Sequence, residues 1–281
     1  MRRLARFPGA MLGVGYLAVL VGFALAAPLL GFDPLAQDII ASLEGPSAQY
    51  WFGTDELGRD IFARAVHGAR TSLSTAAGAV LIAGAIGVPI GLVAGFFGGW
   101  RDALLMRLVD VLLALPGILL AMAMIAVLGR SQMAALVAVG ITGIPGFARI
   151  TRAQVLSLRR RDFVTAVEAM GASATHAMLR TVLPNAWSPI LVQAVVLAAV
   201  AILLEAALAF LGVGIPPPTP SWGEMLRTGK SYLHEAPTYA VLPGLVLTLS
   251  ILSLDAIGRA LADVLETRDP ATAPRTAEGR A

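Results

Sequence analysis

Of the 281 residues, 57% are hydrophobic and only 14% are charged, where a soluble domain carries about 25% charged residues; this excludes an ordinary soluble enzyme and a disordered or collagen-like chain. Cysteine is absent, which removes disulfide scaffolds, thiolate metal sites and Cys nucleophiles. The formal charge of +3 comes with 20 Arg and a single Lys, Lys230, and on a chain this apolar such residues set orientation in a lipid bilayer rather than grip nucleic acid.

A membrane-crossing helix needs roughly 20 mostly apolar residues. Charge-free runs of that kind cover residues 8–31, 71–100, 111–129, 131–148, 181–204 (extended past Glu205 to 211) and 236–254. They predict an all-α membrane protein with six transmembrane helices at about 10–30, 71–98, 111–129, 132–150, 189–211 and 237–258. Residues 1–9 form a short N-terminal segment, 10–265 the transmembrane domain, and 266–281 a tail expected to be disordered. The start, basic to Arg6 and with Ala24-Leu25-Ala26 further on, has the outline of a signal peptide. Its charge-free run exceeds the roughly 7–15 residues of such a segment, so it is expected to stay as the first span.

Six spans put both termini on one side. With that side cytoplasmic, the inside segments hold 15 basic residues. The outside segments hold 6: Arg59, Arg64, Arg70, Arg130, Arg227 and Lys230. The positive-inside rule therefore places both termini in the cytoplasm. In the second span Gly87, Gly91 and Gly95 form a small-residue ladder suited to close helix packing, and Pro89 is expected to bend it. The short link at Arg130 and Ser131 makes the third and fourth spans a tight hairpin. Glu205, late in the fifth, reads as a carboxylate hydrogen-bonded between helices near the interface, or else as a substrate- or proton-pathway residue.

The longest charged segment between spans runs from 149 to 189. After Arg159-Arg160-Arg161, Asp162 is placed to cap a short helix carrying Phe163, Val164, Val167 and Met170 on one face. Gly171 fits the residue just past a helix end. Ser173 can cap a second short helix with Ala174, Ala177, Met178 and Val182 in a stripe, which Pro184 is expected to end. The outcome is a helix–Gly–helix elbow with an apolar face to bury, suited to a membrane surface or a partner protein.

Catalytic signals are missing. His67, His176 and His234 lie far apart with no metal-ligand spacing, and no nucleophile–base pattern occurs. Gly229-Lys230-Ser231 resembles the end of a phosphate-binding loop, but Glu224 stands where that loop needs its first Gly. No catalytic residue, metal site or ATPase of its own is expected.

The segment Ala166-Val167-Glu168-Ala169-Met170-Gly171-Ala172-Ser173, ending in Val182-Leu183-Pro184-Asn185, resembles the EAA loop of ABC-importer permeases. That pattern reads Glu-Ala-Ala, three residues, Gly, nine residues, Ile-x-Leu-Pro. Thr165-Ala166-Val167 takes the Glu-Ala-Ala place, Gly171 the Gly and Val182 the Ile; Thr165 leaves no carboxylate there to pair with an ATPase. Phe52-Gly53-Thr54-Asp55-Glu56-Leu57-Gly58-Arg59-Asp60 is similar to the extracytoplasmic motif of the dipeptide, oligopeptide and nickel importer permeases. So are Phe210-Leu211-Gly212-Val213-Gly214-Ile215 with the following Pro216 to Leu226 stretch, and Leu242-Pro243-Gly244-Leu245. The last cytoplasmic segment departs, reading Gly258-Arg259-Ala260-Leu261-Ala262-Asp263 where the family tends to Gly-Asp-x-Leu-Arg-Asp.

The resemblance covers residues 7–270 and implies a type I ABC-importer (MetI-like) permease fold in a bacterial inner membrane. It further implies a second homologous permease subunit, two cytoplasmic ABC ATPase subunits that hold ATP-Mg, and an extracytoplasmic solute-binding protein. No cofactor is implied in this chain itself. Thr165, Ala166, Val167, Gly171, Ala172, Ser173, Val182, Leu183 and Pro184 would couple to the ATPases. Asp55, Arg59, Asp60 and Trp222 would sit on a rim that docks the binding protein, or pair among themselves. The cargo would be a peptide or similar small solute. The rival reading is an ion-gradient-driven secondary transporter, a class that shows internal repeats and several intramembrane charges.

Overall fold

The computed structural model describes residues 7–27, 29 and 31–266. Among these the only β-type pairing is an isolated bridge between Thr54 and Asp60; everything else regular is helical. α1 (Pro8–Ala26) begins with proline in its first turn, where a missing N–H costs nothing. It lies along the last helix, with Gly13 against the backbone of Ser253 and the Tyr16 hydroxyl donating to the Val246 carbonyl at 2.9 Å.

α2 (Ile61–Phe97) starts ten residues before the expected second span. Its first charges, Arg64 and Arg70, broke the apolar run in sequence but not the helix. At 1.5 Å per residue it is about 55 Å long, about 25 Å more than a 30 Å hydrocarbon core. It passes Pro89 unbroken and stops at Gly98, whose φ is +64°.

The third crossing is not one helix. Residues 111–129, expected as a single span, divide between α3 (Gly99–Leu113) and α4 (Gly117–Leu128), which meet at 84°. The cause is local. Pro116 has φ −53° and ψ 133°, supplies no N–H, and disfavours helical backbone in Leu115 before it. Charge-free counting does not register this break.

Gly129, at φ +81°, and Arg130 lead into α5 (Gln132–Leu158), whose first turn is capped by Ser131 Oγ accepting from the Ala134 amide at 3.0 Å. α5 runs two turns past residue 150, so part of the expected cytoplasmic loop is helix. α2 and α5 lie parallel, and the glycine ladder is their seam. A Cβ on Gly87 would come 2.7 Å from the Ile144 carbonyl oxygen, and one on Gly95 2.9 Å from that of Arg152; at Gly91 the Ala148 carbonyl blocks it. Lipid gives no hydrophobic drive for helix association, so such close backbone approach supplies the packing.

At the arginine-rich end follow α6 (Asp162–Ala169), α7 (Ala174–His176), a π turn (Ala177–Val182) and α8 (Leu183–Asn185). α9 (Trp187–Phe210) returns to the opposite end, where α10 (Trp222–Gly229) and a 3-10 turn (Lys230–Tyr232) precede α11 (Thr238–Glu266). Gly229 and Lys230 thus close a helix rather than open one. The apolar interior falls into three regions. A middle one holds Ala79, Val139, Ile202 and Leu208; one at the arginine-rich end holds Phe96, Val155, Val182 and Ile190; one at the opposite end holds Ile61, Met225 and Tyr239. The expected tail, from 267 on, lies outside the described residues.

Candidate functional site

The elbow is built by two backbone devices. α6 opens after Arg161, which occupies the N-cap place expected for Asp162; Asp162 is the first helical residue instead, where its charge suits the helix dipole. α6 ends in a Schellman motif: the Gly171 amide donates to the Glu168 carbonyl at 3.0 Å and the Ala172 amide to the Val167 carbonyl at 3.3 Å. Gly171 has φ +87°, which a side chain would oppose. Ser173 caps α7, its Oγ accepting from the His176 amide at 3.3 Å.

Pro184 does not end the second helix. The chain widens into the π turn just before it, and helix continues through Asn185 towards α9. The i→i+5 turn lies just ahead of Pro184, whose ring carries no N–H to donate to the preceding turn.

The structure splits the expected apolar stripes. Val164, Ala177, Met178 and Val182 are buried and Val167 is half-buried, all against Phe96, Val155 and Leu158 from α2 and α5. Ala174 is exposed. Phe163, 41% exposed, and Met170, 79% exposed, point away together with Leu179. Of the coupling residues read from sequence, Thr165, Ala166, Gly171, Ser173 and Pro184 are exposed, Ala172 and Leu183 half-buried, and Val182 is core. Phe163 and Met170 share by spacing the face on which Val164 and Val167 stand. Their exposure depends on which side of α6 the α2–α5 pair covers, and helical spacing alone does not say. Arg159 anchors the base of the elbow, stacked 5.1 Å from the Phe96 ring and donating to the Phe96 carbonyl.

The opposite end is a cap closed by charge. Asp55 is fully buried and accepts from Arg59 Nε at 2.6 Å; Arg64 Nε lies 3.4 Å from the same carboxylate. Arg64 Nη2 reaches Glu224 Oε2 on α10 at 3.2 Å, and Arg59 Nη2 reaches Glu56 at 3.1 Å. Trp222, also fully buried, donates its indole N–H to the Ala65 carbonyl at 3.0 Å. The side chains of Asp55 and Trp222, expected on a docking rim, are therefore inside the fold, and that of Arg59 is 6% exposed. The motif residues are spent on holding α10 to the start of α2. Asp60 caps α2, Oδ1 accepting from the Phe62 amide at 2.8 Å. Half-burial raises its carboxyl pKa, while the amides of Phe62 and Ala63 pull it back. Beside the cap an open cleft of about 560 Å³ is lined by Glu56, Arg59, Phe210, Arg227, Lys230 and Tyr232, among others.

Glu205 is 1% exposed and accepts from Ser72 Oγ at 3.0 Å, bridging α9 to α2. This is the interhelical hydrogen bond expected of it.

Residues 87–268 match the family model of the binding-protein-dependent transport system inner membrane component. The chain belongs to that family. It is a multi-pass inner-membrane permease subunit of an ABC importer, a class that works with ATPases and binding proteins. It is 41% identical over 260 residues to the dipeptide transport system permease protein DppC of Alkalihalophilus pseudofirmus, covering 92% of this chain and 86% of that one. Similarity to the di/tripeptide permease DppC of Pseudomonas aeruginosa is also 41%, over 92% and 88% of the two chains. The glutathione permease GsiD of Escherichia coli is 44% identical over 80% of this chain and 74% of its own. Among solved structures, an inward-facing form of the MetNI methionine ABC transporter superposes with a TM-score of 0.56 at 20% identity, covering 72% of this permease and 97% of that chain. The type I importer fold is thereby the same.

Proposed function

We propose that this permease carries a peptide or similar small solute, handed over by an extracytoplasmic binding protein, and that the elbow around 165–184 couples the passage to cytoplasmic ATPases. The assembly is this chain, a second homologous permease and two ATPases that bind ATP-Mg; this chain has no ATPase site. The arginine-rich end, with both termini, faces the cytoplasm. The carrying observation is that one side of the elbow shares a core with α2, α5 and α9 while Phe163 and Met170 stay outside it.

A short helix seated by its inner face on three long ones acts as a lever. Docked by its outer face on an ATPase, it transmits closure of the ATPase pair to the crossings and alternates access across the membrane. The three relatives, named for dipeptides, di/tripeptides and glutathione, support the cargo class. The test is uptake into proteoliposomes holding the whole complex and its binding protein, with di- and tripeptides and glutathione as cargo. ATP inside the ATPase compartment is expected to drive uptake, and collapsing the proton and sodium gradients to leave it intact. Uptake that ignores ATP and follows a gradient would establish the secondary-transporter reading instead.

A further inference from the structure

The break between α3 and α4 has a definite depth. Gln132 Nε2 donates to Ser74 Oγ at 2.8 Å at the first residue of α5, and towards its other end Arg152 makes a two-point ion pair with Asp102 at 2.5 and 2.6 Å. Twenty residues of α5 separate these polar belts, about 30 Å and so one hydrocarbon thickness. Gly117, first residue of α4, packs against Thr142, with 3.7 Å from a Cβ built on it to Thr142 Cβ. Thr142 lies halfway, about 15 Å from either belt. Non-helical backbone therefore sits near the bilayer midplane.

That backbone is uncovered. Residues 114–117 are all exposed, Leu115 at 51%. The first turn of α4 has no capping side chain, Pro116 being in the N-cap place. One turn back along α3 from Ala114, on the same face, Asp110 pairs with Arg149 of α5 at 2.7 Å with both side chains more than half exposed. Irregular backbone at this depth does not face lipid; it is buried in protein or lines water. A dry protein contact would strip the ion pair of its remaining hydration, a cost that the single pairing leaves uncompensated.

We propose that this face, from the Asp110–Arg149 pair to residues 114–117, lines the water-filled passage through the assembled transporter. The inference rests on the permease reading above and names which side of this chain the solute passes. It differs in kind from the exposed flanks of α1 and α11, where Val19 and Leu245 present apolar side chains with no break and no charge one turn away.

The absence of native cysteine makes the test direct. Leu115→Cys and Gly117→Cys, with Val19→Cys and Leu245→Cys as lipid-facing controls, are assembled with the partner permease (its own cysteines removed) and ATPases in proteoliposomes. Each is treated with a membrane-impermeant sulfonated maleimide on both sides, then with a lipid-soluble maleimide. Because the reactive thiolate forms in water, the two bend variants are expected to react with the impermeant reagent on the order of tenfold faster than the controls. Two results overturn the proposal. One is that bend and control variants alike react only with the lipid-soluble reagent. The other is that the bend variants resist both reagents, as in a dry contact with the second permease. ATP-driven uptake is measured in the same vesicles with the unsubstituted complex. Uptake alongside either adverse result leaves the permease reading standing and removes only this inference, whereas absent uptake counts against that reading. The two bend positions are independent, so one that fails to insert still leaves the other to decide.

Discussion

The two ends of this permease use their motif residues in opposite ways. At the cap, Asp55, Arg59 and Trp222 turn inward and are consumed by one another, by Arg64 and by the Ala65 carbonyl. At the elbow, only part of the apolar stripe turns inward, and Phe163 and Met170 remain on the outside. The cap is thus a finished structure and the elbow an unfinished one. A finished surface can be stable alone, whereas an apolar face left open beside a glycine hinge makes sense only against a partner.

The sharpest way to break this contrast is at Arg64, whose side chain is 1% exposed between Asp55 and Glu224. Arg64→Ala takes the cation from buried Glu224 and one of the two cations beside Asp55, which keeps Arg59, and is expected to cost about 3–5 kcal/mol, read as a large fall in thermal unfolding temperature in detergent. A fall of a degree or two would mean that the cap is held mainly by Trp222 and its apolar neighbours. The next largest effect is at the hinge. Gly171→Val forces a branched residue to φ +87°, a strain of about 1–2 kcal/mol, with open space around it. Membrane insertion is expected to survive while ATP hydrolysis ceases to track uptake. Normal coupled uptake in this variant would deny the hinge a coupling role. Smallest in stability terms are Phe163→Ala and Met170→Ala, expected to shift unfolding by no more than about 0.5 kcal/mol. Both should nevertheless weaken capture of the ATPase in pull-downs, and capture at full strength would show that the open face is not the docking face.

Much of the elbow was legible because its devices are local. A glycine past a helix end and a serine before the next one act within a few residues, and both stand where spacing put them. Pro184 was misjudged for a nonlocal reason: the helix passes it because the flanking turns are already seated on α2 and α5. The third crossing failed differently. Leu115-Pro116-Gly117 is a visible break signal, but a criterion built on charge does not weigh it. At the cap, the residue types indicated pairing and the order of motifs indicated a place, yet nothing in the spacing joined Arg64 to Glu224, 160 positions away.

Composition and charge placement by themselves determined that this chain lives in a bilayer, crosses it several times, and carries its arginines mostly at one end. These follow from the cost of putting charge in hydrocarbon, which each residue incurs irrespective of fold. Which side of each helix is covered was decided only by tertiary structure. The α2–α5 seam, closed where Gly87, Gly91 and Gly95 let backbones touch, determines what is core and what is surface at the elbow. Beside it, the bend that α5 supports at Thr142 places irregular backbone at mid-depth. Rotation of one helix against another is set by packing among residues far apart in the chain, and no local pattern carries that information.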